Sequence, residues 1–166
     1  MKFLSDTEEQ GAQKWLEEAA RVARKALCLR AKCGTVIIKD GQIIGEGYNA
    51  PPQDNPEYRT CLNEYELPKN YRYDHTCCMH SEWRAILDAK ERNPGKLKGS
   101  RLYFVRVTDT GEPKPSGKPY CTVCSRLALD SEIAEFVLWQ EGGFAVFSTD
   151  EYDQLSFKNI KEPKKS

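Results

Sequence analysis

"AEFVLWQ" (residues 134–140) and "FAVFS" (144–148) are separated only by Glu141-Gly142-Gly143. Both runs are rich in aromatic and β-branched residues and read as strands. A parallel crossover needs about a dozen residues or more, so so short a connection makes the pair antiparallel. Upstream, "RLYFVRV" (101–107) reads as a buried strand, and "GTVIIKDGQIIGEGYN" (34–49) as a hairpin around Asp40-Gly41. That dipeptide tolerates the positive φ of a tight turn. Helices are expected between and around these strands. Ser5-Asp6-Thr7-Glu8 has the form of a capping box. The apolar positions 12, 15, 16, 19, 22, 23, 26 and 27 then make one helical stripe, running to about Leu29. "MHSEWRAILDAKERN" (79–93) is a second helix, stopped by Pro94-Gly95. A third runs from near Cys121 to near Asp130, and "TDEYDQLSF" (149–157) is a fourth, capped by Thr149 or Asp150. The order α-β-β-α-β-α-β-β-α predicts an α/β fold, one sheet with helices on its faces.

The chain has 166 residues, which fits one domain over 1–166, with 158–166 a frayed tail. Basic and acidic residues both number 25, so the net charge is zero and the basic excess of a nucleic-acid binder is missing. No apolar run is long enough to span a membrane. The opening "MKFLSDTEEQ" turns acidic after four residues, unlike a signal peptide, so a cytoplasmic protein is expected. In that reducing compartment the seven cysteines read as metal ligands or buried thiols rather than disulfides. Residues 50–78, with four prolines and four tyrosines, form a long loop of the kind that carries function. "TDTGEPKPSGKPY" (108–120) is a second loop.

His80 and Glu82 open the second helix, and Cys121 and Cys124 open the third. Helix N-termini favour thiolates. One imidazole and two thiolates leave a fourth tetrahedral position open, which is the pattern of a catalytic zinc. Glu82, two residues beyond His80, can stand beside that position without being a ligand. A lone Cys-x-x-Cys at a helix start also fits a redox pair. The combination His-x-Glu, then Pro, then Cys-x-x-Cys is the signature of zinc deaminases.

On "GTVIIKDGQIIGEGYNAPP", "HSEWRAI" and "PYCTVCSRLAL" the chain resembles the zinc-dependent cytidine and deoxycytidylate deaminases, from about Leu29 to Phe157. The resemblance implies a three-layer αβα fold with a five-stranded mixed sheet. It also implies Zn²⁺ held by His80, Cys121 and Cys124, Glu82 as proton carrier, and a small nucleotide or nucleoside as substrate. A homo-oligomer is expected. By the same resemblance Asn49 binds the sugar hydroxyl and the backbone at Ser81 holds the base. Tyr120 is a candidate to stack on the base. It also departs from the family pattern, because it stands between Pro119 and Cys121. The antiparallel last hairpin resembles the free-cytidine branch, whereas the first hairpin resembles the deoxycytidylate branch.

The long loop carries two arginines, Arg59 and Arg72, which are candidates for a 5′-phosphate and make deoxycytidylate the first substrate. Lys114 and Lys118 follow as further cations. Trp83 reads as core. Cys61, His75, Cys77 and Cys78 form a possible second metal group, and Cys28 and Cys33 read as buried thiols. Two rival readings stay open here: a deaminase of another amino-substituted ring such as guanine or a pterin, and a zinc or thiol redox module without hydrolytic activity.

Overall fold

The computed structural model describes residues 1–61 and 76–158. Arg72, His75 and the tail from 159 onward lie outside these residues. The elements are β1 (Lys2–Phe3), α1 (Asp6–Ala23), β2 (Lys32–Lys39), β3 (Gln42–Tyr48), α2 (Ser81–Arg92), β4 (Arg101–Val107), β5 (Pro113–Lys114), α3 (Thr122–Asp130), β6 (Glu135–Gln140), β7 (Gly143–Ser148) and α4 (Thr149–Lys158). Two short 3₁₀ turns, Pro52–Asp54 and Pro56–Tyr58, follow β3. The sheet runs β1-β7-β6-β4-β2-β3, with β5 beside β4. The five expected strands form its body, and two strands of two residues each extend it. Among the described residues only β4 and β6 pair parallel. β6 and β7 pair antiparallel, as the short connection requires.

Alternation along the strands divides the core into two layers. On one face Val36, Ile38, Tyr103, Val105, Val137 and Val146 pack under α1. On the other, Ile37, Leu102, Phe136, Leu138 and Phe147 pack under α2, α3 and α4. The layering is therefore αβα, with three helices on one side. The capping box at Ser5 forms, the Ser5 N–H donating to Glu8 Oε2 at 3.2 Å.

α1 stops at Ala23, several residues short of the expected end. The Leu27 N–H bonds the Asn49 carbonyl at 3.1 Å instead of continuing the helical ladder. Ala26 is still buried, but Leu27, the last residue of the stripe, is exposed, as is Leu29 beyond it. Asp40 and Gly41 take φ of 49° and 70°, the positive values that a two-residue hairpin turn needs. Lys158, expected in the frayed tail, belongs to α4.

Two glycines of β3 set the height of α2 above the sheet. A Cβ on Gly47 would sit 2.3 Å from the Ser81 carbonyl oxygen and 2.4 Å from the Ala85 nitrogen. One on Gly45 would sit 2.4 Å from the Ala85 carbonyl oxygen. Backbone atoms cannot yield as a flexible side chain can, so the start of α2 rests directly on β3. Gly47→Ala is expected to destabilise the chain by about 1–3 kcal/mol or more, the cost of overpacking. Chemical denaturation checks this, and wild-type stability in the variant would show that the close approach is dispensable.

Candidate metal centre and pocket

The N-termini of α2 and α3 face one another. His80 is the N-cap of α2, with extended backbone, and Cys121 is the N-cap of α3. Cys124, one turn in, is fully buried and donates its N–H to Cys121 Sγ at 3.3 Å. His80 Nδ1 lies 3.1 Å from Cys124 Sγ and 3.4 Å from Cys121 Sγ, and the two sulfurs are 2.8 Å apart. All three ligand atoms fall within 4.8 Å of one another. A tetrahedral zinc has bonds of about 2.3 Å to sulfur and about 2.0 Å to nitrogen, so one ion reaches all three. The soft N/S donor set suits zinc, and two helix N-termini favour the anionic sulfurs.

Charge is divided between the two thiols. The bond from Cys124, working against burial and helped by His80, lowers Cys121 to about 5. Burial pushes Cys124 well up. Burial depresses His80, but the Cys121 thiolate and Glu82 outweigh it and raise the imidazole. The other ring nitrogen, Nε2, lies 3.3 Å from Thr76 Oγ1. That hydroxyl donates to the Cys78 carbonyl, so it accepts from Nε2–H and leaves Nδ1 facing the sulfurs. Trp83 is not core as expected. It is half-buried and stacks on the His80 ring, with centroids 4.5 Å apart and planes 11° apart.

Glu82 is buried against this group, and burial raises its carboxyl above the usual range despite the His80 charge. The Ser81 hydroxyl donates to Glu82 Oε2 at 3.0 Å and accepts from Thr35 Oγ1 at 2.8 Å. A chain of three side chains from β2 to α2 thus fixes the carboxylate. No motif pointed to Thr35 or Thr76; both sit on segments far from the Cys-x-x-Cys.

These residues line one pocket together with Cys33, Asn49, Phe104, Arg106, Ser116, Lys118, Tyr120 and Tyr152. Asn49 is tied to the backbone. It accepts from the Cys33 N–H at 2.8 Å and donates to the Ala31 carbonyl at 2.7 Å, so it closes the turn into β2. Ser81 and Tyr120 line the pocket. Arg59 does not line it; its guanidinium donates to the Leu27 carbonyl at 2.8 Å. Arg106 and Ser116 were missed by sequence reasoning. Arg106 lies within an apolar-looking strand, where alternation alone does not say which end of the face opens to a ligand.

Around the second thiol group, Cys77 is half-buried and Cys78 buried, with Cys61 exposed. Burial works against ionisation of Cys77, but backbone N–H groups of Thr60 and Cys61 bring it down to about 7. Cys61, Cys77 and Cys78 do not form a compact three-ligand metal group among the described residues. All seven cysteines are free thiols.

Residues 9–140 match the family described as the cytidine and deoxycytidylate deaminase zinc-binding region. The chain belongs to this family. Zinc is the metal of this deaminase family, and the His80, Cys121 and Cys124 donors fit it. Two curated deoxycytidylate deaminases are similar. That of Mycobacterium phage D29 is 30% identical over 74% of this chain and 89% of the relative. That of Saccharomyces cerevisiae is 28% identical over 97% of this chain and 47% of the relative. The chain therefore spans about half the length of the yeast protein. Among solved structures, the cytidine deaminase of Burkholderia pseudomallei matches with a TM-score of 0.56 at 20% identity, over 84% of this chain and 94% of that one. The apo dCMP deaminase of cyanophage S-TIM5 matches at 0.51 and 15%, over 76% and 80%. Both confirm the deaminase fold. No helix among the described residues is long and apolar enough to cross a membrane.

Proposed function

We propose that this chain hydrolytically deaminates a cytosine nucleotide, deoxycytidylate first, to the uracil form with release of ammonia. The observation that carries the reading is Glu82: a buried carboxylate beside a His-Cys-Cys group, in a pocket. A closed structural metal site or a redox pair has no use for it. Zinc, which His80, Cys121 and Cys124 would hold, would supply Lewis acidity that brings the pKa of water to about 7. Glu82 accepts the proton of the water that attacks C4. It passes that proton to N3 as the C4–O bond forms, then takes the remaining proton from the C4 hydroxyl and delivers it to the amino group, so the C4–N bond breaks, releasing ammonia, as the C4 carbonyl forms. Its raised carboxyl suits a group that must both take and give a proton near neutrality. Ser81, held by Thr35, keeps Oε2 in place through the cycle. The names of the phage and yeast relatives support a deoxynucleotide. The reading includes a homo-oligomer in the cytoplasm.

One observation favours the redox alternative: the 2.8 Å contact between the two sulfurs, with Cys121 at about 5. One screen separates them. Ammonia release is measured over cytosine, cytidine, deoxycytidine and their monophosphates, with guanine and a pterin as comparisons. Turnover is expected on the cytosine compounds, highest on deoxycytidylate. No ammonia from any of them, together with a reversible Cys121–Cys124 disulfide, would establish the redox module instead.

A further inference from the structure

The pocket holds two cations that the chemistry at C4 does not use. Arg106 lies on β4, opposite Cys33 in the register with β2. Period-two alternation puts it on the same face as Leu102 and Phe104, the face covered by α2, α3 and α4. It lines the pocket from that face. Its Nε is buried, with no acceptor among the described residues. Beside it is the buried Cys33 thiol, which burial pushes up to about 12, so the neighbour is neutral. Lys118 is exposed at the rim of the same pocket. The loop that carries it is pinned by the Ser116 N–H, which donates to the Trp139 carbonyl at 2.7 Å. Neither cation forms an ion pair among the described residues. The one carboxylate of the lining, Glu82, is engaged by Ser81 and lies against Cys124.

A partly desolvated guanidinium without an anionic partner is costly, so this arrangement leaves a place for an anion from the ligand. The planar guanidinium matches two phosphate oxygens, and an ammonium adds a mobile point charge. We propose that Arg106 and Lys118 receive the 5′-phosphate of the substrate, with the base at the metal group and the phosphate toward the mouth. This rests on the nucleotide reading above and names the residues that select for it. They replace Arg59 as the expected phosphate ligand, because Arg59 is turned away to the Leu27 carbonyl.

The test compares deoxycytidylate with deoxycytidine in wild type, Arg106→Gln, Lys118→Gln and Arg59→Gln, with zinc content measured for each. Binding of the products dUMP and deoxyuridine is measured in parallel by calorimetry. For Arg106→Gln, kcat/KM on deoxycytidylate is expected to fall about ten- to hundredfold, with deoxycytidine almost unchanged. Lys118→Gln is expected to show a smaller loss of the same kind, because its charge is solvated. Arg59→Gln is expected to leave the preference intact. Equal losses on both substrates in a zinc-loaded Arg106→Gln would overturn the assignment while leaving the deaminase reading standing. So would an unchanged preference in both pocket variants. If Arg106→Gln does not fold, Lys118→Gln decides by itself, since an exposed lysine does not hold the core. Equal wild-type rates on nucleotide and nucleoside would overturn both the assignment and the nucleotide reading. A wild type with no deaminase activity, whose dUMP affinity still exceeds that for deoxyuridine and falls in Arg106→Gln, would uphold the phosphate site and remove the reaction.

Discussion

Glu82→Gln is expected to keep its zinc and its fold and to lose roughly 10²–10⁴-fold in kcat, the usual contribution of a positioned proton carrier. Glutamine has nearly the same shape, and its amide oxygen can still accept from the Ser81 hydroxyl, which now holds the carboxylate at 3.0 Å. The packing and the Thr35-Ser81 bond therefore survive. What is lost is the capacity to take up a proton and return it. Removing a buried carboxylate whose pKa is raised by burial also removes a cost of folding at neutral pH, so the variant is expected to be at least as stable as wild type. Steady-state kinetics on deoxycytidylate, metal analysis and thermal unfolding report the three quantities separately. Near wild-type turnover in a zinc-loaded variant would remove Glu82 from the chemistry.

The second large effect is at the ligands. Cys124→Ala is expected to leave the chain without zinc after dialysis against a mild chelator, and without activity. Two ligands remain, His80 and Cys121, and a tetrahedral ion held by two side chains exchanges readily. Losing a direct ligand costs more than the roughly 10–100-fold seen for a lost outer partner. Cys121→Ala is expected to match it, because Cys121 is the thiol that stands deprotonated, at about 5. The same pair of variants should melt below the zinc-loaded wild type, since an ion held there would bridge two helices whose ligands are 44 residues apart in sequence. A Cys124→Ala chain that keeps one zinc and full turnover would place the catalytic metal elsewhere.

The metal-ligand group was legible because its parts are short-range in sequence. His-x-Glu and Cys-x-x-Cys each fall in a first helical turn, so spacing alone says which side chains share an end. The two hairpins were legible for the same reason: Asp40-Gly41 and the brief connection after Gln140 leave few choices. Where the answer depended on tertiary partners, the sequence was silent or misleading. The stripe through Ala26 and Leu27 continues a helical period, but the Asn49 carbonyl captures the Leu27 N–H first. Thr35 and Thr76 bond Ser81 and His80, and Arg106 lines the pocket, from three separate segments, and nothing local marks them. Arg59 seemed placed for phosphate by its loop, yet a backbone carbonyl from the end of the α1 connection takes its guanidinium. Trp83 had the size of a core residue, but the side of α2 that it occupies is shared with the His80 ring.

The tight turn between β6 and β7 has a further consequence for how this chain can be divided. Because the chain returns at once, α4 starts directly from β7 and settles against α3, where the Ser125 hydroxyl donates to Asp153 at 2.7 Å. Tyr152 then stacks under Phe136, with centroids 4.0 Å apart, and closes the wall of the pocket. β7 and α4, with Tyr152 and Asp153, lie beyond residue 140, where the family match ends. The segment that carries the recognisable chemistry is thus shorter than the segment that can hold it. A chain trimmed to the matching residues would keep each ligand and the proton carrier, yet would expose the underside of α3 and leave β6 as a bare edge. Its failure would say nothing against the chemistry; it would locate the last stretch of protein on which the site depends.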